Sequence, residues 1–201
     1  MTEYPEPLDS PAVRDLIERL YSAFDEPNDL LTGAWYAPHR EEVVAELIKH
    51  DRRNLGHAAG DMHDWLIWSL TYTIGTPQTL RHYLPTVFEE LLRLTSIEDD
   101  FWMFVKKIAG AGFADWPPEQ RRLVCAVVRL WLAYRIMQTE GVTAAVFPEL
   151  RPEAVIATTP AAFLLDLLGT RGDTLDSGDP DLVDFILDAE RGLAAPLSKA
   201  T

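Results

Sequence analysis

Val13, Leu16, Ile17, Leu20, Tyr21 and Phe24 recur at three- and four-residue intervals, the spacing that gathers apolar side chains on one face of an α-helix. Asp9-Ser10-Pro11 places a capping residue and a first-turn proline ahead of them, so a helix is predicted to about Phe24. Asp25 to Pro38 holds Pro27, Asn28, Gly33 and the adjacent Trp35-Tyr36 pair and reads as a loop. Val43, Val44, Leu47 and Ile48 then mark a second helix with a polar outer face. Asp61 and Asp64 open a third helix through Tyr72. Gly75 stops it and Thr76-Pro77 begins a fourth, whose Leu80, Leu84, Val87, Phe88, Leu91 and Leu92 continue across Pro85. A proline lacks the backbone donor and its ring crowds the carbonyl four residues back, so a kink or split is expected at Pro85.

Ser96 with Asp99 resembles a capping box ahead of Phe101, Phe104, Val105 and Ile108, and Gly110 and Gly112 end that element. Asp115-Trp116-Pro117-Pro118 opens the longest helix, carrying Leu123, Val124, Val127, Leu130, Trp131 and Tyr134. Pro148 and Pro152 forbid a long regular element between Val142 and Thr158, which leaves one short helix or irregular packing. Thr159-Pro160 is expected to cap a helix to Leu168, and Asp179-Pro180 a last one through about Leu193. No stretch alternates with period two between turn residues, so the fold class is all-α without a sheet. About eight moderate helices on short loops suggest a single-domain orthogonal bundle or a short stack of helix pairs over residues 1–201, with 142–201 as a helical extension.

Charge changes this picture. Against 18 Lys and Arg stand 32 Asp and Glu, a formal net charge of -14, and a field of that sign repels phosphate backbones; no nucleic-acid partner is expected. The excess is uneven: residues 1–60 hold 6 basic and 12 acidic groups, 61–139 hold 8 and 9, and 140–201 hold 4 and 11. The acidic Asp173 to Glu190 stretch could mimic nucleic acid or dock a basic protein partner, and its simpler reading is helix caps and a solvated face. Cys125 alone permits neither an intramolecular disulfide nor a cysteine-based zinc site, which fits a cytoplasmic protein. Met1 to Asp15 has acidic residues and prolines where a signal peptide needs a basic start and an apolar run. The apolar run Leu123 to Met137 is too short to span a bilayer and is interrupted by Arg129 and Arg135, so no membrane partner is expected.

Candidate chemistry is sparse. His50, His57, Asp61, His63 and Asp64 cluster in sequence, but Gly56 and Gly60 put His57 in a loop and no metal site is predicted. Arg81 and His82 stand just before the Pro85 break, where a titratable ring beside a freed carbonyl could bind a ligand or serve as a structural bridge. Trp35 and Tyr36, between Gly33 and Pro38, are the interface candidates because loop aromatics anchor partners. No GxSxG or phosphate loop occurs, and Cys125 lies in an apolar helix, so no catalytic residue and no cofactor is assigned.

Leu70 to Thr76, then Leu80-Arg81-His82-Tyr83-Leu84-Pro85 and Leu91-Leu92, resemble a motif of an uncharacterised bacterial family of all-helical proteins. There a Thr-aromatic-Gly turn leads into an Arg-His-aromatic-Leu-Pro segment and a leucine-rich helix. The continuation through Trp116-Pro117 to Trp131 is similar, so the likeness covers residues 61–135. Members often begin with a cysteine-rich, metal-binding-like loop, whereas here that region reads Gly33-Ala34-Trp35-Tyr36-Ala37-Pro38-His39. The resemblance implies a helical bacterial protein and no particular reaction, and the departure at residues 33–39, which lack cysteine, argues against a metal role in this chain. The expectation is therefore an acidic interaction module, an adaptor or an immunity-type inhibitor of a basic partner. The alternative is a small-molecule or metal-dependent enzyme centred on Arg81 and His82.

Overall fold

The computed structural model describes residues 7–27, 40–55, 70, 76–93, 98–169, 187, 188 and 190. The protein is all-α: among the described residues there are seven α-helices joined by turns and short 3-10 segments, with no strand. They are α1 (Pro11–Ala23), α2 (Arg40–Lys49), α3 (Pro77–Arg93), α4 (Glu98–Gly110), α5 (Pro118–Glu140), α6 (Pro152–Ala157) and α7 (Ala161–Gly169). The predicted third helix, the Trp35-Tyr36 loop and most of Asp173 to Glu190 lie outside the described residues.

The chain divides into two compact units. One comprises residues up to Leu16 together with Ala114 onward, the other Ile17 to Phe113, so α1 contributes to both. In the second unit, Leu20, Phe24, Leu47, Leu55, Leu84, Phe88, Leu92 and Phe104 are buried. Phe88 of α3 and Phe104 of α4 meet edge to face with centroids 5.4 Å apart, the arrangement in which a ring's positive edge faces a negative π surface. α3 runs unbroken through Pro85, which is itself buried, so the expected split does not occur.

In the first unit, α5 is buried along almost its whole length from Leu123 to Met137. α6 and α7 both pack on it. Such a helix needs apolar residues nearly all round, which explains why its sequence shows no clean polar face. Pro117 and Pro118 begin α5, and Gly141 ends it in the left-handed conformation at φ 61°, where any side chain would be strained. The segment 142–158, ambiguous in sequence, forms a 3-10 turn (Pro148–Leu150) and then α6, each started by one of the two prolines.

Candidate functional site

A polar cluster of the second unit grows from a short turn. Asp51 ends α2's exit and its carboxylate accepts the Arg53 N–H at 2.8 Å, capping the 3-10 turn Arg52–Asn54. That turn sends the two arginines in different directions. Arg53 forms a two-pronged pair with Glu18 at 2.9 and 3.0 Å and lies over the Tyr21 ring, 4.2 Å from its centroid. Arg52 turns inward, and its side chain is only 11% exposed.

Arg52 is a four-way clamp. Its Nη2 donates to the Tyr21 carbonyl at 3.1 Å and to Asp25 Oδ1 at 3.3 Å. Its Nη1 donates to the Phe24 carbonyl and, at 2.9 Å, to the His82 carbonyl. The first two carbonyls belong to the end of α1, where the helix has no further N–H to offer, so the guanidinium acts as its C-terminal cap. The third sits one turn before Pro85. The Arg52 carbonyl in turn accepts from the Thr86 hydroxyl at 2.8 Å, so one residue is tied to α3 through both backbone and side chain. The Tyr21 hydroxyl completes the seam, 3.0 Å from Glu89 Oε2 and 3.4 Å from Thr86 Oγ1, and burial raises its pKa well above the usual phenol range.

The two candidates Arg81 and His82 meet at Glu26. His82 Nδ1 lies 2.6 Å from the Glu26 carbonyl, and Arg81 Nε lies 3.3 Å from the Glu26 carboxylate. Gln78, one turn earlier, donates to the Pro27 carbonyl at 3.1 Å. A carbonyl only accepts, so Nδ1 carries the proton in this contact. One face of α3 thus holds the segment that follows α1. The sequence points to Arg81 and His82, but it misses Arg52 and Glu26; the only local signal for them is Asp51 standing as a cap directly after a helix. Trp35 and Tyr36 lie outside the described residues, as do His57, Asp61, His63 and Asp64. His50 is 3.5 Å from Glu46, within α2's own last turns.

Burial is the main reason the His82 pKa is lowered from its ordinary value, with the Arg52 charge adding to it and the Glu26 carbonyl, Glu26 and Asp25 opposing. The ring is therefore neutral in the fold at pH 7. Its titration makes no difference to stability well above pH 6.5, where both states are neutral. Below that, the unfolded chain binds a proton that the folded chain resists, so stability falls from pH 6.5 down to the folded-state pKa. Urea midpoints of the wild type and His82→Gln at pH 7.5 and pH 5.5 should show a smaller acid loss in the variant. Equal losses would remove His82 as a source of the slope.

Two further buried groups lie apart from this cluster. Lys107 of α4 donates to the Leu70 carbonyl at 2.8 Å, and desolvation lowers its pKa to about 8. The Cys125 thiol is buried and pushed up to about 12, as expected of an inert core thiol and not of a nucleophile.

In the first unit the corresponding clamp is Arg129, read in sequence only as an interruption of an apolar run. Its Nε and Nη2 donate to the Val155 and Ile156 carbonyls, each at 3.0 Å, and its Nη1 to Glu190 Oε1 at 2.6 Å. Glu190 Oε2 accepts the Ala161 N–H, the first of α7, at 3.0 Å. The expected Thr159 cap is displaced by this arrangement: the Thr159 hydroxyl donates to the Glu149 carbonyl instead. A carboxylate brings a full negative charge to the helix amino end, where a threonine brings only a dipole.

Among the described residues no group of three His, Cys, Asp or Glu is placed to hold a metal ion, and no helix is long and apolar enough to cross a membrane. No family model, no curated protein and no solved structure matched the chain.

Proposed function

We propose that the protein is a cytoplasmic protein-interaction module, an adaptor or an immunity-type inhibitor, that presents an acidic exterior to a basic partner protein. The observation that carries this reading is the excess of acidic over basic groups in each compact unit, with some of the basic groups built into the fold. Arg52 and Arg129 are turned inward onto backbone carbonyls, and Lys107, half-buried, donates to the Leu70 carbonyl. Asp9, Asp15, Glu18, Asp25, Glu41, Asp51, Asp115, Glu149 and Glu153 are exposed. Sorted by compact unit, the first carries 9 basic and 17 acidic groups and the second 9 and 15, so both are acidic. The near-neutral stretch 61–139 divides between them, 61–113 holding 4 basic and 7 acidic groups and 114–139 holding 4 and 2. Arg14, Arg19, Lys49, Arg53, Lys106, Arg122 and Arg151 are exposed alongside the carboxylates, but the acidic groups outnumber them, and a net negative surface accelerates encounter with a basic one.

Arg81 and His82 both face Glu26, which supports a clasp on the segment after α1 more than an open catalytic centre. Affinity capture with the full chain at about 20 mM and about 300 mM salt tests the interaction, since a Debye length near 20 Å shrinks below 10 Å across that range. The expected result is a basic partner, rebinding as a purified pair and weakened at least tenfold by salt. Recovery of no partner at low salt, or of one whose purified binding is salt-insensitive, overturns the reading.

A further inference from the structure

We propose that Arg129 and the amino end of α7 form a carboxylate-binding site, which the chain fills with its own Glu190 and which accepts a free carboxylate once that side chain is gone. Both oxygens of Glu190 are held, and by different donors: Oε1 by the Arg129 guanidinium at 2.6 Å, Oε2 by the Ala161 N–H at 3.0 Å. The two side chains are only 16% and 18% exposed, so the pair is sheltered from screening.

The donors are fixed without Glu190. Arg129 is braced by two bonds to the end of α6, whose carbonyls at Val155 and Ile156 would otherwise lack partners. Thr158 and Thr159 both direct their N–H groups to the Ala154 carbonyl, so the turn between α6 and α7 closes on itself. A guanidinium held by two of its nitrogens therefore presents the third toward the positive end of a nine-residue helix. A planar anion with two oxygens matches that geometry. A carboxylate is the chemical class that the site already holds, and a ligand carrying one must compete with a tethered group at high effective concentration. The site's sign is opposite to that of the acidic exterior, so its ligand is distinct from the basic partner proposed above.

Chemical rescue of Glu190→Ala in the full chain tests the proposal. Thermal unfolding is followed in sodium acetate and in sodium chloride at equal ionic strength, from 0 to about 200 mM. Acetate should raise the variant's Tm by about 3 °C over chloride in a saturating manner. It should do nothing comparable to the wild type, whose site is full, or to the Arg129→Met/Glu190→Ala double variant, which lacks the guanidinium. If Glu190→Ala is unfolded in chloride, acetate should restore its helical circular dichroism. Acetate no better than chloride in either case, or equal gains in all three proteins, overturns the site.

Discussion

Replacing Arg52 by Met is expected to destabilise the protein by about 3 to 4 kcal/mol and to lower Tm by roughly 10 °C, because hydrogen bonds from a charged donor contribute about 1.5 to 3 kcal/mol each and do not add fully. The substitution keeps the aliphatic stem and removes the donors. The carbonyls of Tyr21, Phe24 and His82 then lose their shared partner. Arg52→Lys should recover less than half of the loss, since one ammonium cannot reach both the end of α1 and the His82 carbonyl. Asp25→Asn is the contrast: Asp25 is 88% exposed, so its pair with Arg52 is worth only a few tenths of a kcal/mol. Urea unfolding of the three variants settles the order, and an Arg52→Met loss no larger than that of Asp25→Asn would refute the clamp.

Replacing Arg129 by Met is expected to cost about 3 kcal/mol, for a related reason and with an added penalty. Two carbonyls at the end of α6 lose their donor, and the Glu190 carboxylate is left in a sheltered place with only the Ala161 N–H. Glu190→Ala should be milder, about 1 to 2 kcal/mol, because Arg129 keeps both backbone bonds. Equilibrium denaturation of the two variants distinguishes a guanidinium that braces α6 from one that serves Glu190 alone; a larger loss in Glu190→Ala would favour the latter. Glu190 also shows how an acidic stretch is subdivided by the fold. It belongs in sequence with Asp188, yet Asp188 is exposed while Glu190 is bound inside.

Helix positions were legible because they depend on local chemistry. The interval of Val13, Leu16, Ile17 and Leu20 and the placement of Pro11, Pro77, Gly110 and Pro118 act within one or two turns, and α1, α3, α4 and α5 begin or end where those residues require. Pro85 was legible as a disruption but not as its outcome. Pro85 withholds a donor from the Arg81 carbonyl, yet the helix continues through it, and the next carbonyl, at His82, receives a donor from Arg52, thirty residues away, a partner that no local pattern reveals. Arg81 and His82 were found because they flank that proline; Glu26 and Arg52 were not, since nothing in a loop glutamate or a turn arginine reveals which distant carbonyl or side chain it will meet.

The amino-acid sequence by itself determined the all-α class, the helix boundaries set by proline and glycine, and the acidic net charge. Only the tertiary structure decided which charges face water and which are built into helix ends. Periodicity and capping are properties of neighbours along the chain, whereas the partners of Arg52, His82, Arg129 and Glu190 are carbonyls, N–H groups and side chains 26 to 61 residues away, brought within 3 Å or so only by packing.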